Sequence, residues 1–214
     1  MIISYQGVES LKIQFGDTVV AYNPVSKDSK FKSSKYGADI VLISNNHVDM
    51  NGFENASRGD REPFVVNGPG EYEIGGVFIR GFLSKSLYGG EEKINTIYTM
   101  SLEGMNLCFL GALGTPDSLS SETKEALDDI DVLFAPIGGD GVLSPAEAYK
   151  LAVKLEAKII IPFHFGDGLS GTALKTFLKE GGEEGMKAVD KLTIKKKDLE
   201  GKEGDIIVLS ANVS

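Results

Sequence analysis

Ile40-Val41-Leu42-Ile43-Ser44-Asn45-Asn46-His47-Val48-Asp49-Met50 is an apolar run that breaks abruptly into polar residues. Four apolar residues in succession describe a strand buried on both faces. The residues after it fall at a strand end, where α/β proteins place their chemistry. His47 and Asp49 stand there beside Asn45, Asn46 and Met50. The segment sets two residues that can bind a metal, His47 and Asp49, among three that suit one poorly.

Outward from this loop, the first half of the chain reads as strands. Leu11, Ile13 and Phe15 alternate with Lys12 and Gln14, the period of a half-buried strand. Gly16-Asp17 turns the chain into Thr18–Tyr22, and Pro24 ends that run. Residues 50–62 are polar and read as a mobile loop beside the strand end. Phe64-Val65-Val66 is a short strand, Gly75-Gly76 a hairpin turn, and Glu103-Gly104 the centre of a second hairpin.

Helices alternate with strands in the second half. Glu122–Leu127 is a short helix leading to the strand Val132–Phe134. Ser144-Pro145-Ala146-Glu147 carries an N-cap, a proline at the first helical position and a capping-box glutamate. Ala148, Leu151, Ala152 and Leu155 repeat as one helical face behind it. Strand Lys158–Ile161 is expected to stop at Pro162, just before His164. Leu174, Phe177 and Leu178 mark another helix, and Leu192–Ile194 and Ile206–Leu209 read as closing strands. No linker or repeat divides the chain, so residues 1–214 are expected to form one domain of two packed sheets flanked by helices.

Composition narrows the function. The chain has 214 residues, 42% hydrophobic, with a net charge of -9. An acidic surface repels phosphate backbones, so no nucleic-acid partner is expected. The one dense basic run, Lys195–Lys197, is followed by Asp198 and Glu200 and reads as a solvated turn. A lone cysteine, Cys108, excludes an internal disulfide framework and a cysteine-rich zinc site. Neither a membrane span nor a secretory leader is legible, and a soluble cytoplasmic protein is expected.

Together these segments resemble the metallo-β-lactamase superfamily, in its lactonase-like, Zn-dependent hydrolase branch. The resemblance runs over nearly the whole chain. It is carried by Ile3–Pro24, the run Asn67-Gly68-Pro69-Gly70-Glu71-Tyr72-Glu73-Ile74-Gly75-Gly76-Val77, Asn95–Tyr98, Leu110-Gly111, Ala135–Gly139 and Ile161–His164, in the family's order. It implies an α/β, four-layer αββα sandwich with the site at the sheet edges. It also implies a metal pair, Zn²⁺ or Mn²⁺, that acidifies a bridging water.

Against the family's His-x-His-x-Asp-His loop, this chain carries Asn45-Asn46-His47-Val48-Asp49-Met50. The next family histidine falls at Phe109, the bridging aspartate at Ala112 and the final histidine at His164. Val8 and Asn23 stand where relatives often carry histidine and aspartate. Phenylalanine and alanine offer a metal nothing, and a thioether suits Cu(I) better than Zn²⁺ or Mn²⁺. No binuclear pair is therefore expected, and at most one Zn or Mn.

The leading expectation is a non-catalytic or weakly active member that binds a small polar ligand or a protein partner through the inherited pocket. Here His47 and His164 are hydrogen-bonded pocket residues, with Asn45, Asn46, Met50, Phe109, Ala112 and Asp140 around them. The alternative is a mononuclear metal-dependent hydrolase of an ester, lactone or phosphoester. There, His47, Asp49 and His164 hold the ion and Asp49 holds the attacking water. A triad of Asp167 and Ser170 with His164 lacks a nucleophile elbow and is set aside. Cys108, one residue before a ligand position, should face away from the site.

Overall fold

The computed structural model describes residues 1–32, 34–166 and 168–212. In chain order, the first sheet begins with β1 (Ile2–Tyr5), β2 (Leu11–Phe15), β3 (Thr18–Tyr22), β4 (Ile40–Leu42) and β5 (Phe64–Val66). The second is built from β6 (Gly70–Ile74), β7 (Val77–Ser86), β8 (Lys93–Leu102) and β9 (Met105–Phe109). After these come α1 (Ser121–Ala126), β10 (Val132–Pro136), α2 (Pro145–Lys154), β11 (Ile159–Phe163) and α3 (Ala173–Glu180). β12 (Leu192–Thr193) returns to the first sheet and β13 (Asp205–Ile206) joins the second. The orders are β12-β1-β2-β3-β4-β5 and β13-β11-β10-β9-β8-β7-β6.

The period-two alternation of side chains sorts each strand between two cores. Leu107 and Phe109 of β9, Val132 and Phe134 of β10, and Ile159 and Ile161 of β11 point between the sheets, against Val20, Tyr22, Ile40 and Leu42. Cys108, Leu133 and Ile160 point the other way, under α2 and α3. Cys108 thus faces away from the Phe109 side, as the alternation requires, and burial raises its thiol pKa. β4 is apolar throughout because Ile40 and Leu42 enter the central core while Val41 and Ile43 pack outward with Val19, Ala38 and Ala56. Each such fully buried side chain contributes roughly 1.5–3 kcal/mol.

The outer layers differ in make-up. α1, α2 and α3 lie on the second sheet, and α2 starts with the full Ser144–Glu147 capping box. On the first sheet the outer layer comes from irregular chain around Tyr36 and Ala38 and a 3₁₀ turn at Phe53–Ala56. That turn lies inside the stretch expected to be a mobile loop. It is held by Asn55, whose Nδ2 donates to the Val25 carbonyl at 2.7 Å, and by Gly52, where a Cβ would sit 2.3 Å from the Ser26 nitrogen.

Two strand ends depart from expectation. β11 runs through Pro162 to Phe163. Residues of a parallel strand address alternate neighbours: the Ile160 carbonyl accepts from Ile207 and the Phe163 carbonyl from Ile137. Pro162 therefore faces the β13 side, where the ladder has already ended at Ile160 paired with Ile206, and its missing N–H is not needed. The last strand is shorter than its apolar run, with Leu209 making only an isolated bridge to Val189. Among the described residues, no helix is long and apolar enough to cross a membrane.

Candidate functional site

β3, β4 and β5 run parallel, Tyr22 pairing with Leu42 and Leu42 with Val66, so their carboxyl ends open on one edge. The 44–50 loop leaves β4 there in tight turns, with the His47 N–H on the Asn45 carbonyl and the Met50 N–H on the His47 carbonyl. His164 arrives from the end of β11. It adopts a left-handed φ of 62°, and its N–H donates to the Val8 carbonyl at 2.8 Å. Gly138 makes room for it, since a Cβ there would lie 2.4 Å from His164 Cδ2.

Tyr88, in the loop after β7, packs against both histidines. Its ring is edge-on to His47 at 4.9 Å between centroids and to His164 at 5.1 Å. Its hydroxyl donates to Asp49 Oδ2 at 2.8 Å. The other Asp49 oxygen accepts from the Ser29 hydroxyl. His47 Nδ1 lies 3.3 Å from Asp49 Oδ2 and 3.2 Å from the Asp49 N–H, so the tautomer decides which of the two contacts is a hydrogen bond. Burial first, and then the Asp49 carboxylate, raise the Tyr88 phenol pKa far above the tyrosine range, keeping it a protonated donor.

Behind His164 lies a buried polar chain. His164 Nδ1 is 2.8 Å from Glu9 Oε1. Asn23 Nδ2 donates to Glu9 Oε2 at 2.8 Å and to the Ser44 hydroxyl at 2.7 Å, and the Ser44 N–H returns to Asn23 Oδ1. Glu9 and Asn23 are fully buried. Three non-glycine residues with positive φ, Val8, Asn23 and His164, meet here. Such a φ is a true outlier for the β-branched Val8, and strain of this kind collects at functional sites. Sequence reading missed both Glu9 and Tyr88. The available signals were a carboxylate set among Val8, Ser10 and Leu11, and a tyrosine before Gly89-Gly90.

The remaining positions scatter. Met50 and Ala112 pack with Tyr88 and Val142 in a small apolar cluster, filling the space beside Asp49. Phe109 stacks on Phe163 at 5.2 Å and against Tyr22 at 4.4 Å, inside the central core. Asp140 does reach the site. It lines a cleft of about 430 Å³ with His47, Asp49, Tyr88, Lys30 and Gly89. Asn45 and Asn46 face a different cleft and do not join His164. Asp167 lies outside the described residues, and Ser170 is exposed.

His47, Asp49 and His164 are therefore not gathered as one ligand set. His47 pairs with Asp49 and His164 with Glu9, and the Tyr88 ring touches both imidazoles. Among the described residues, no three His, Cys, Asp or Glu side chains converge as a metal-binding group. A zinc ion needs its donors at about 2.0–2.2 Å, so the arrangement does not fit a shared ion. The Nδ1 of His164 is held by a carboxylate, an orientation also used behind metal-bound histidines. Here its ring abuts Tyr88.

Two facing mixed sheets, helices outside the second, and a histidine–carboxylate loop after β4 define the metallo-β-lactamase fold. Residues 2–164 match the family described as the beta-lactamase superfamily domain, and the chain belongs to that superfamily. A metal-dependent hydrolase of Bacillus licheniformis is 24% identical, the match covering 77% of this chain and 85% of that protein. A metal-dependent hydrolase of Listeria innocua is 26% identical over the same shares. Among solved structures, a protein of Thermotoga maritima described as a candidate Zn-dependent hydrolase of the metallo-β-lactamase superfamily superposes with a TM-score of 0.76. It is 25% identical, over 98% of this chain and 99% of that one. The metallo hydrolase Igni18 of Ignicoccus hospitalis, 16% identical with a TM-score of 0.60 over 91% and 99%, shares the fold.

Proposed function

We propose that this chain is a ligand-binding member of the superfamily, non-catalytic or weakly active, in which the relatives' metal chemistry is not carried. The observation behind this reading is that no three metal-binding side chains converge among the described residues, while the Tyr88 ring packs on both His47 and His164 with its hydroxyl on Asp49. Three substitutions agree with it: Phe109 and Ala112 are built into apolar packing, and the Met50 sulfur is a soft donor. The cleft beside the His47–Asp49 pair offers an imidazole, a lysine and two carboxylates around a small volume. A few polar groups on a concave surface suit a small polar ligand.

A second reading, a mononuclear hydrolase of an ester, lactone or phosphoester, is favoured by the His47–Asp49 pair at the cleft and by the names of the relatives. It requires His164 to come within bonding distance of an ion held by His47 and Asp49. Equilibrium dialysis against Zn²⁺ and Mn²⁺, followed by thermal denaturation, separates the two. The ligand-binding reading expects far less than one retained ion per chain, no change in melting temperature, and no hydrolysis above that of the Asp49→Ala variant. One tightly held ion that stabilises the fold and is lost in His164→Ala would replace it with the hydrolase.

A further inference from the structure

A second cleft, of about 540 Å³, opens beside the first on the same sheet edge. Its wall is unusual in a chain with net charge -9. Asn45 and Asn46 come from the end of β4, Asn51 from the loop beyond, Asn67 from the end of β5, and Lys93 from the start of β8. No carboxylate lines it; the apolar parts include Phe53 and Ile94, both exposed. Carboxyl ends of neighbouring parallel strands are where open α/β sheets hold ligands.

The hydrogen-bonding capacity of this wall is underused. Asn45 is 1% exposed, and its Nδ2 donates to the Ile94 carbonyl at 3.2 Å. Its Oδ1 is buried with no partner among the described residues, and such an acceptor is costly to leave unmet. Asn46 and Asn51 share a single bond, Asn51 Nδ2 to Asn46 Oδ1 at 2.8 Å, leaving a donor and an acceptor over. The Lys93 ammonium forms no ion pair among the described residues. It points at Gly89, where a Cβ would lie 3.9 Å from Lys93 Nζ and 3.3 Å from His47 Nε2. Lys93 thus sits where the two clefts adjoin.

We propose that this asparagine-lined cleft binds the uncharged polyhydroxyl body of a sugar phosphate, with Lys93 holding its anionic group at the boundary with His47. Primary amides both donate and accept, matching hydroxyls one for one. Phe53 and Ile94 supply surface for the apolar C–H face of a sugar ring. One unpaired cation and no carboxylate select a single anionic substituent. This rests on the ligand-binding reading above, and names the ligand class and the place.

The test is a nuclear magnetic resonance titration of the isotope-labelled full chain, following the side-chain amides of Asn45, Asn46, Asn51 and Asn67. The probes are glucose 6-phosphate, ribose 5-phosphate and N-acetylglucosamine 6-phosphate, with glucose and inorganic phosphate as controls. The expectation is saturable shifts in these amides with at least one sugar phosphate, at a Kd of about 1 mM or tighter. The matching free sugar and phosphate alone should bind at least tenfold more weakly. Lys93→Gln and the exposed Asn67→Ala should each weaken binding about tenfold, both folded by their backbone spectra. Inorganic phosphate binding as well as the sugar phosphates, free sugar binding as well as they do, or no saturable shift with any of the three would overturn the proposal. Retention of a metal ion by His47 and His164 would instead count against the ligand-binding reading, and leaves these amide shifts as a separate readout.

Discussion

Replacing Tyr88 by phenylalanine removes one hydroxyl and leaves the ring. The hydroxyl donates at 2.8 Å to Asp49, a buried carboxylate. A hydrogen bond to a charged partner contributes about 1.5–3 kcal/mol. The ring contacts at 4.9 and 5.1 Å to His47 and His164 survive the change. Tyr88→Phe should therefore lower stability by about 1.5–3 kcal/mol, or roughly 3–12 °C in melting temperature for a chain of this size. Tyr88→Ala also deletes the ring, whose neighbours include Met50, Ala112 and Val142, and should cost more, about 3–5 kcal/mol. Urea denaturation followed by far-ultraviolet circular dichroism measures both. A phenylalanine variant as stable as the parent, within about 0.5 kcal/mol, would show that the hydroxyl holds nothing. Equal losses in the two variants would show that the ring is not packed as described.

Three other outcomes follow from buried polar groups. Asp131 has a fully buried carboxylate. Burial alone would raise its pKa, but bonds from Lys158 at 2.6 Å, Lys196 at 2.9 Å and the Asn106 N–H hold it below the usual range. A depressed carboxylate stabilises the fold above its unfolded pKa and loses that contribution as pH falls through the folded value. Asp131→Asn should cost about 1.5–3 kcal/mol near neutral pH; the gap to wild type in urea denaturation should narrow below about pH 4, and a pH-independent gap would contradict this. Glu9→Ala strands His164 Nδ1 and leaves Asn23 Nδ2 only its bond to Ser44, and should cost about 2–5 kcal/mol, with Glu9→Gln milder; a loss under about 0.5 kcal/mol would remove Glu9 from the network. Tyr22 has a buried hydroxyl with no partner among the described residues, so Tyr22→Phe should raise the denaturation midpoint by the equivalent of about 1 kcal/mol. A lower midpoint would mean that the hydroxyl is bonded after all.

The fold was readable because local signals agreed with the global pattern. The apolar Ile40–Ile43 run holds the strand Ile40–Leu42, buried on both faces, and the Ser144–Glu147 box does start a helix. Alternation along β9 correctly sent Cys108 and Phe109 to opposite cores. Pro162 misled because its tolerance depends on where β13 ends, which is a fact about a partner strand. The site was less legible for the same reason. His47, Asp49 and His164 are identifiable in sequence, but the ring that packs on both histidines comes from a loop after β7, and the carboxylate behind His164 from the turn after β1. Nothing in the spacing of Tyr88 or Glu9 marks them as neighbours of either histidine. Asn45 and Asn46, adjacent to His47 in the chain, turn into a different cleft because successive residues of a tight loop point in different directions.

Whether His47 and His164 can share one ion is the deciding question. Crystals grown with excess Zn²⁺ and measured by anomalous diffraction at the zinc edge address this directly. The expected map has the Tyr88 phenol on Asp49 and no zinc peak bonded to both His47 and His164. A peak at about 2.0–2.1 Å from both imidazoles would contradict it.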